Sequence, residues 1–294
     1  CGYHGWHDWY LSSTLSDKDN LKFHLFPKFY PKGIPSELKN TSFPFEYGDL
    51  EGLKKIFNKH NIGIIKMEVC RNTKPDKKFL NDVRNFANKK NIILIFDECT
   101  TGFRESCGGL HMKINVKPDL AVFGKALGNG YPITAVVGKK EIMKNAKKTF
   151  SSSTFWTDRI GPTAALKTLE IMRSTKSWEK IKQKGNFVMS AWKKLAQEHN
   201  LSIKIFGIPS LARFEINSRN WPSYKNLITQ ELLKKKILAT GTFYPSTKHT
   251  KSFINYYLSN LKNIFQLIEK CENGMDVKKL LENKISQNYF NRLN

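Results

Sequence analysis

Long apolar runs are missing from this 294-residue chain. No stretch approaches the ~18 consecutive apolar residues that a membrane-crossing helix requires. The opening Cys1–Tyr10 carries His, Asp and Trp where a signal peptide would need an apolar run. Cysteine is sparse too: five residues (Cys1, Cys70, Cys99, Cys107, Cys271), odd in number, scattered, with no C-x-x-C pair. That spacing excludes a disulfide framework or a zinc ribbon and suits reduced thiols. The chain is therefore expected to be soluble and cytoplasmic, with no membrane partner. Acidic residues are few, 25 against 49 Lys and Arg, giving a formal charge of +24. Such charge suits a nucleic-acid partner. The lysines are nevertheless dispersed over polar helix faces, and no nucleic-acid-binding signature accompanies them, so solvated faces are the expectation.

Hydrophobic residues make up 40% of the chain, with 20 Phe, 10 Tyr and 6 Trp, enough for a sizeable core in one large domain or two. Residues 1–48 read as aromatic, Pro-rich and irregular. After them, apolar strands are predicted at Ile62–Val69, Asn91–Phe96, Leu120–Gly124 and Ile133–Gly138. Amphipathic helices are predicted around residues 48–60 and 76–90, where apolar residues recur at helical spacing. This alternation predicts an α/β fold, a mainly parallel sheet covered on both faces. From Gly161 to His199 the pattern is continuously helical. Strands at Leu201–Phe206 and Leu211–Ile216 follow, then helices at Tyr224–Lys236, Lys251–Cys271 and Met275–Lys284. The expected organisation is a large domain over residues 1–175 and a small α+β domain over 176–294.

Ligands in such sheets gather at the carboxyl ends of strands, where Asp97 and Lys125 both fall. The apolar strand ending in Asp97-Glu98 imitates the acidic element of nucleotide hydrolases. The phosphate loop that reading requires is absent: Gly124-Lys125 is followed by Ala126, and Asp119 stands at the required glycine position. Lys125, 28 residues after Asp97 in Phe-Gly-Lys-Ala-Leu-Gly, suits different chemistry. An amine in an apolar site, its pKa lowered by desolvation, can condense with an aldehyde cofactor. A carboxylate such as Asp97 can keep that cofactor's pyridine nitrogen protonated. A buried structural ion pair explains the same spacing equally well. His4, His7 and Asp8 are metal-capable in type, but no further ligand follows at a sensible spacing, so no metal is expected. Ser151–Ser153 lack the G-x-S-x-G elbow of a nucleophile and read as a hydrogen-bonding loop.

The run Leu94–Arg104, Gly108-Gly109, Lys117–Leu120 and Phe123–Pro132 together resemble class III aminotransferases. The opening Gly2-Tyr3-His4-Gly5-Trp6-His7-Asp8 and the segment Ser152–Pro162 are similar to the branch containing glutamate-1-semialdehyde aminomutase. The resemblance spans nearly the whole chain. It implies the fold type I architecture of pyridoxal-phosphate-dependent transferases, with pyridoxal 5'-phosphate as cofactor and small amine and carbonyl substrates. Lys125 would carry the cofactor as a Schiff base and Asp97 would pair with the pyridinium nitrogen. Tyr3 would lie over the ring, and His4 belongs to the same cofactor-binding segment. Glu68 would stand near the site at a strand end. Cys99 departs from the family pattern, which has a valine there against the ring's other face. Thr154 would bind the cofactor phosphate from the neighbouring subunit of a homodimer. The family's S-G-[ST]-E-A-type phosphate loop has no counterpart, so the chain is expected to be a fragment lacking the first quarter to third of the enzyme. The compact stretch Ile237–Thr250 favours an aminotransferase over an aminomutase. The rival outside catalysis is a basic binding protein on the same fold.

Overall fold

The computed structural model describes residues 4–5, 7–21, 31–70, 74–150, 154–155 and 157–283. The chain divides into two compact units, the first covering residues up to 71 and 75–170 and the second covering 171–288.

In the first unit two short helical turns, Asp8–Leu11 and Ser13–Ser16, bury Tyr10 and Leu11 in a small cluster with Leu21 and Ile34. They replace the irregular stretch expected there. Helix α1 (Leu50–Lys59) begins where the Asp49 carboxylate accepts from Gly52 N at 2.8 Å. Strand β1 (Ile64–Glu68) follows. Helix α2 (Lys77–Lys89) is capped by Asp76, which accepts from Phe79 N at 3.1 Å. Such caps occupy backbone donors that the first helical turn leaves unpaired. Phe79, Leu80, Val83 and Ala87 form the buried stripe of α2. Then come β2 (Ile93–Asp97), the short helix α3 (Leu110–Ile114), β3 (Leu120–Phe123) and β4 (Ala135–Gly138). The sheet order is β1-β2-β3-β4, the first two pairings parallel and the last antiparallel.

The register does most to place the site. Glu68 stands opposite Asp97, and Asp97 opposite Val122, so the acids share the carboxyl edge of the sheet. Asp119 fixes the other edge. Its carboxylate accepts from Leu94 N and Arg84 Nη1 at 2.8 Å each and from Lys139 Nζ at 2.6 Å. One buried acid thus ties α2, β2 and the residue following β4 to the start of β3. Burial raises its carboxyl, but the Leu94 N–H, Lys139 and Arg84 outweigh this and hold it below the usual range.

The division between units falls within helix α4 (Ile160–Thr175). The single helix expected over Gly161–His199 is two: α5 (Ser177–Glu198) starts after Lys176, whose φ of 46° is left-handed. That conformation cannot continue a right-handed helix.

The second unit is α+β. Strands β5 (Ile203–Phe206), β6 (Ala212–Ile216) and β7 (Thr242–Phe243) form an antiparallel sheet, and β7 is too short to register as a periodic pattern. Helices α6 (Trp221–Lys234) and α7 (Lys251–Glu272) complete it. Val188, Trp192, Phe214, Tyr224, Leu261 and Phe265 fill the core. Trp192 Nε1 donates to Tyr257 Oη at 2.9 Å, so the buried indole is satisfied. Gly185 admits close approach: a Cβ there would overlap Pro209 O. The expected helix Met275–Lys284 is only a 3-10 turn, Val277–Leu280, with Lys284 outside the described residues. Among the described residues no helix is long and apolar enough to cross a membrane.

Candidate active site

Asp97 ends β2 with 4% of its surface exposed. A buried carboxylate needs partners. His4 Nδ1 lies 2.9 Å from Oδ2, Cys99 N donates to Oδ1 at 3.1 Å, and Lys66 Nζ stands 3.8 Å from Oδ2. Burial pushes the carboxyl upward. The His4 hydrogen bond, the Cys99 N–H and the charges of His4 and Lys66 outweigh that and hold it below the usual range. Asp97 is therefore an anion at neutral pH. The Cys99 thiol is a further hydrogen-bond partner of the carboxylate, and with about four acceptor positions on its two oxygens Asp97 keeps room for an N–H donor.

Lys66 was not anticipated. The signal was present: a lysine inside the apolar strand Ile64-Ile65-Lys66-Met67-Glu68. Strand alternation places it on the same face as Glu68. Its ammonium also lies 5.4 Å from the Trp9 ring centroid, a cation–π contact.

Glu98 takes a different environment. It is fully buried and accepts from His111 N and His111 Nδ1, each at 2.8 Å, and from the Thr101 hydroxyl. It anchors the loop from β2 to α3. Its role is structural.

Beyond β2 the chain passes Cys99 and Thr100 in a turn closed by Gly102 N donating to Glu98 O at 2.7 Å. The Cys99 thiol is pushed up to about 11, first by burial and then by Asp97. A thiol so held is a packing group rather than a nucleophile. Close to it is Gly124. A Cβ added there would lie 3.4 Å from both Cys99 Sγ and Thr134 Cγ2, so the glycine leaves a methyl-sized gap between them.

Lys125 opens a 3-10 turn, Lys125–Leu127, with φ of 46°. It is exposed. This corrects the expectation of an amine desolvated in an apolar site. Its Nζ donates to Thr100 Oγ1 at 2.6 Å, a partner the sequence did not single out. Thr154 is exposed as well, Glu68 is 6% exposed at the end of β1, and Tyr3 and Ser151–Ser153 lie outside the described residues.

The carboxyl ends of β2 and β3 thus hold a buried anion with a spare lone pair, a thiol beside a glycine gap, and an exposed lysine. A planar ring with a cationic nitrogen at one end and an aldehyde near the other matches this donor set. The described residues support the ring and amine ends of such a group.

The family model for class III aminotransferases matches residues 72–247. The chain belongs to the class III aminotransferase family. It is 31% identical over 283 residues to the 3-aminobutyryl-CoA aminotransferase of Cloacimonas acidaminovorans, covering 92% of this chain and 64% of that protein. It is 29% identical over 289 residues to the glutamate-1-semialdehyde 2,1-aminomutase of Methanococcus maripaludis, covering 94% of this chain and 65% of that protein. The chain thus spans a little under two thirds of the length of these class III relatives. Its fold is that of solved transaminases. The FumI protein of Sphingopyxis sp. MTA144, in its PLP internal aldimine form, superposes with a TM-score of 0.80 at 20% identity, covering 95% of this chain and 66% of that one. An omega-transaminase from Sphaerobacter thermophilus gives 0.76 at 20% identity, covering 90% and 66%.

Proposed function

We propose that this chain carries the catalytic lysine and the ring-binding carboxylate of a cytoplasmic, pyridoxal-phosphate-dependent aminotransferase acting on small amine and carbonyl substrates. The observation that carries the reading is the Asp97 carboxylate, buried and anionic, at the same sheet edge as the Gly124-Lys125 turn. When bound, pyridoxal phosphate supplies an aldehyde on an electron-withdrawing ring. Asp97 would hold a proton at the ring nitrogen through a spare carboxylate lone pair. His4 and Lys66 would keep Asp97 ionised and oriented. Cys99 would pack against one ring face and Tyr3 the other, with Glu68 at the margin of the site. The Lys125 amine would hold the aldehyde end of the group, and would move a proton at its own Nζ as general acid–base.

Thr154 would reach the phosphate of the neighbouring subunit in a homodimer. The exposed apolar residues Phe155, Ile160 and Leu166, which follow it in the chain, support a covered surface on this stretch. Transfer within one molecule is the second reading, supported by the likeness to semialdehyde aminomutases. The compact stretch Ile237–Thr250 weighs toward transfer between molecules. Borohydride reduction with pyridoxal phosphate, followed by peptide mapping, tests the site: the pyridoxyl group is expected on Lys125. A label concentrated on another lysine would overturn it.

A further inference from the structure

We propose that Thr100 is the positioning residue for Lys125, its hydroxyl oxygen receiving the amine and holding it over the carboxyl edge of β2 and β3. This rests on the reading of Lys125 as the cofactor lysine and extends it to a residue outside that set. The geometry is direct: Lys125 Nζ donates to Thr100 Oγ1 at 2.6 Å. Lys125 is exposed and ends in four flexible carbons, so without an acceptor its amine samples many rotamers. Thr100, in contrast, is built to stay in place. Its β-branched side chain has a restricted χ1. Its turn is pinned on both sides, by Cys99 N on Asp97 Oδ1 at 3.1 Å and by Gly102 N on Glu98 O at 2.7 Å. Glu98 N in turn donates to Val122 O of β3 at 2.8 Å, which fixes the turn against the strand that precedes Lys125.

The two consecutive threonines divide their work. Thr101 is 1% exposed and its hydroxyl is bound to the buried Glu98 carboxylate, a contact that stabilises the loop. Thr100 is half-buried and its oxygen faces the amine. The backbone of Lys125 adds to the same arrangement. At φ of 46° it occupies a region that non-glycine residues adopt rarely and that recurs at functional sites. A flexible side chain is thus fixed at both ends, by a left-handed backbone and by one hydroxyl. Thr100 needs no contact with cofactor or substrate for this. It sets where Nζ waits when free, and so how often the amine meets an incoming aldehyde.

The test uses the 294-residue chain in wild-type, Thr100→Val and Thr100→Ser forms, mixed with pyridoxal phosphate, trapped with borohydride and mapped by peptide mass spectrometry. The readout is labelling of Lys125 relative to exposed surface lysines such as Lys78. Valine matches the shape of threonine without the oxygen, and serine restores the oxygen. Wild type is expected to favour Lys125. Thr100→Val is expected to lower that preference roughly two- to ten-fold, the range one hydrogen bond commands. Thr100→Ser is expected to regain it, with far-UV circular dichroism unchanged throughout. If wild type favours Lys125 and Thr100→Val does so equally, Thr100 positions nothing. If wild type shows no preference for Lys125, the reading of the site itself falls. A loss in Thr100→Val that serine does not restore assigns the effect to packing and overturns the role of the hydroxyl.

Discussion

His4 Nδ1 lies 2.9 Å from Asp97 Oδ2, joining two residues 93 positions apart in the chain. An ionised carboxylate only accepts, so Nδ1 carries the hydrogen. This fixes the imidazole and holds the carboxylate in place through Oδ2. In the proposed reaction Asp97→Asn is expected to lower the rate of proton transfer by orders of magnitude, because a neutral amide cannot hold the ring nitrogen protonated. His4→Phe removes one of the groups that orient Asp97 and keep it ionised, while the Cys99 N–H and Lys66 remain, and is expected to cost less. Single-turnover absorbance measurements separate the two. Comparable losses in both variants would mean that His4 does more than support Asp97.

Glu98, adjacent to Asp97, is expected to behave in the opposite way. Its three hydrogen bonds are all to its own loop and α3. Glu98→Gln replaces charge-assisted bonds with neutral ones and is expected to cost roughly 1–3 kcal/mol of stability. Urea unfolding reads the loss directly, and the residual activity should follow the folded fraction. An active-site defect in fully folded Glu98→Gln would contradict a purely structural role.

The contrast between these two acids shows what was legible in the sequence. Period-two alternation separates Asp97 from Glu98, and the Phe-Gly-Lys-Ala spacing singles out Lys125. The four strands of the first sheet, Leu94 and Phe96 among their core residues, follow from apolar runs. The partners of Asp97 were harder. Lys66 reads as an interruption of a strand until the register places β1 beside β2. Thr100 reads as a loop residue until the turn at Lys125 brings the amine back to it. The helix break at Lys176 carries no proline or glycine, so a continuous apolar pattern conceals it. The exposure of Lys125 could not be read either, since apolar neighbours in sequence need not enclose a side chain.

Cys99 is expected to be a slow thiol. Burial and the Asp97 carboxylate push it up to about 11. At pH 8 its thiolate fraction is then about two orders of magnitude below that of an ordinary cysteine. Iodoacetamide labelling, mapped by mass spectrometry, should find Cys99 modified far more slowly in the folded chain than in urea. Cys99→Val should fold and retain the neighbouring contacts. Rapid alkylation of Cys99 at pH 8 would show that the thiol is not held in its neutral form.

Asp119 gives the pH dependence a sign. Its carboxyl is depressed in the folded chain, so its contribution to stability is present above about pH 4, the unfolded value. It is lost as pH falls through the lower folded value. Asp119→Ala leaves the Arg84 guanidinium, whose side chain is only 12% exposed, without its counter-ion. The expected cost is about 3 kcal/mol near neutrality. The gap between variant and wild type should narrow in acid. A gap that stays constant from pH 7 to pH 3 would locate the loss in packing rather than charge.

The last prediction concerns β4. It is the end strand of the first sheet among the described residues, and Val136 and Val137 are 48% and 50% exposed although they point to opposite faces. A sheet edge with apolar residues on both faces offers unpaired backbone groups and an apolar surface together, the combination that drives association. The chain is therefore expected to self-associate as its concentration rises, despite the repulsion of a +24 charge. Val137→Glu introduces a charge at this edge. It also lowers the net positive charge, so any loss of association cannot come from stronger overall repulsion. Light scattering coupled to size exclusion, run on wild type and Val137→Glu over a range of concentrations, reads the difference. Expected are larger species for wild type and a shift toward the monomer for the variant. Monomeric wild type at every concentration, or equal association in both, would show that the apolar faces of β4 do not drive contact between copies.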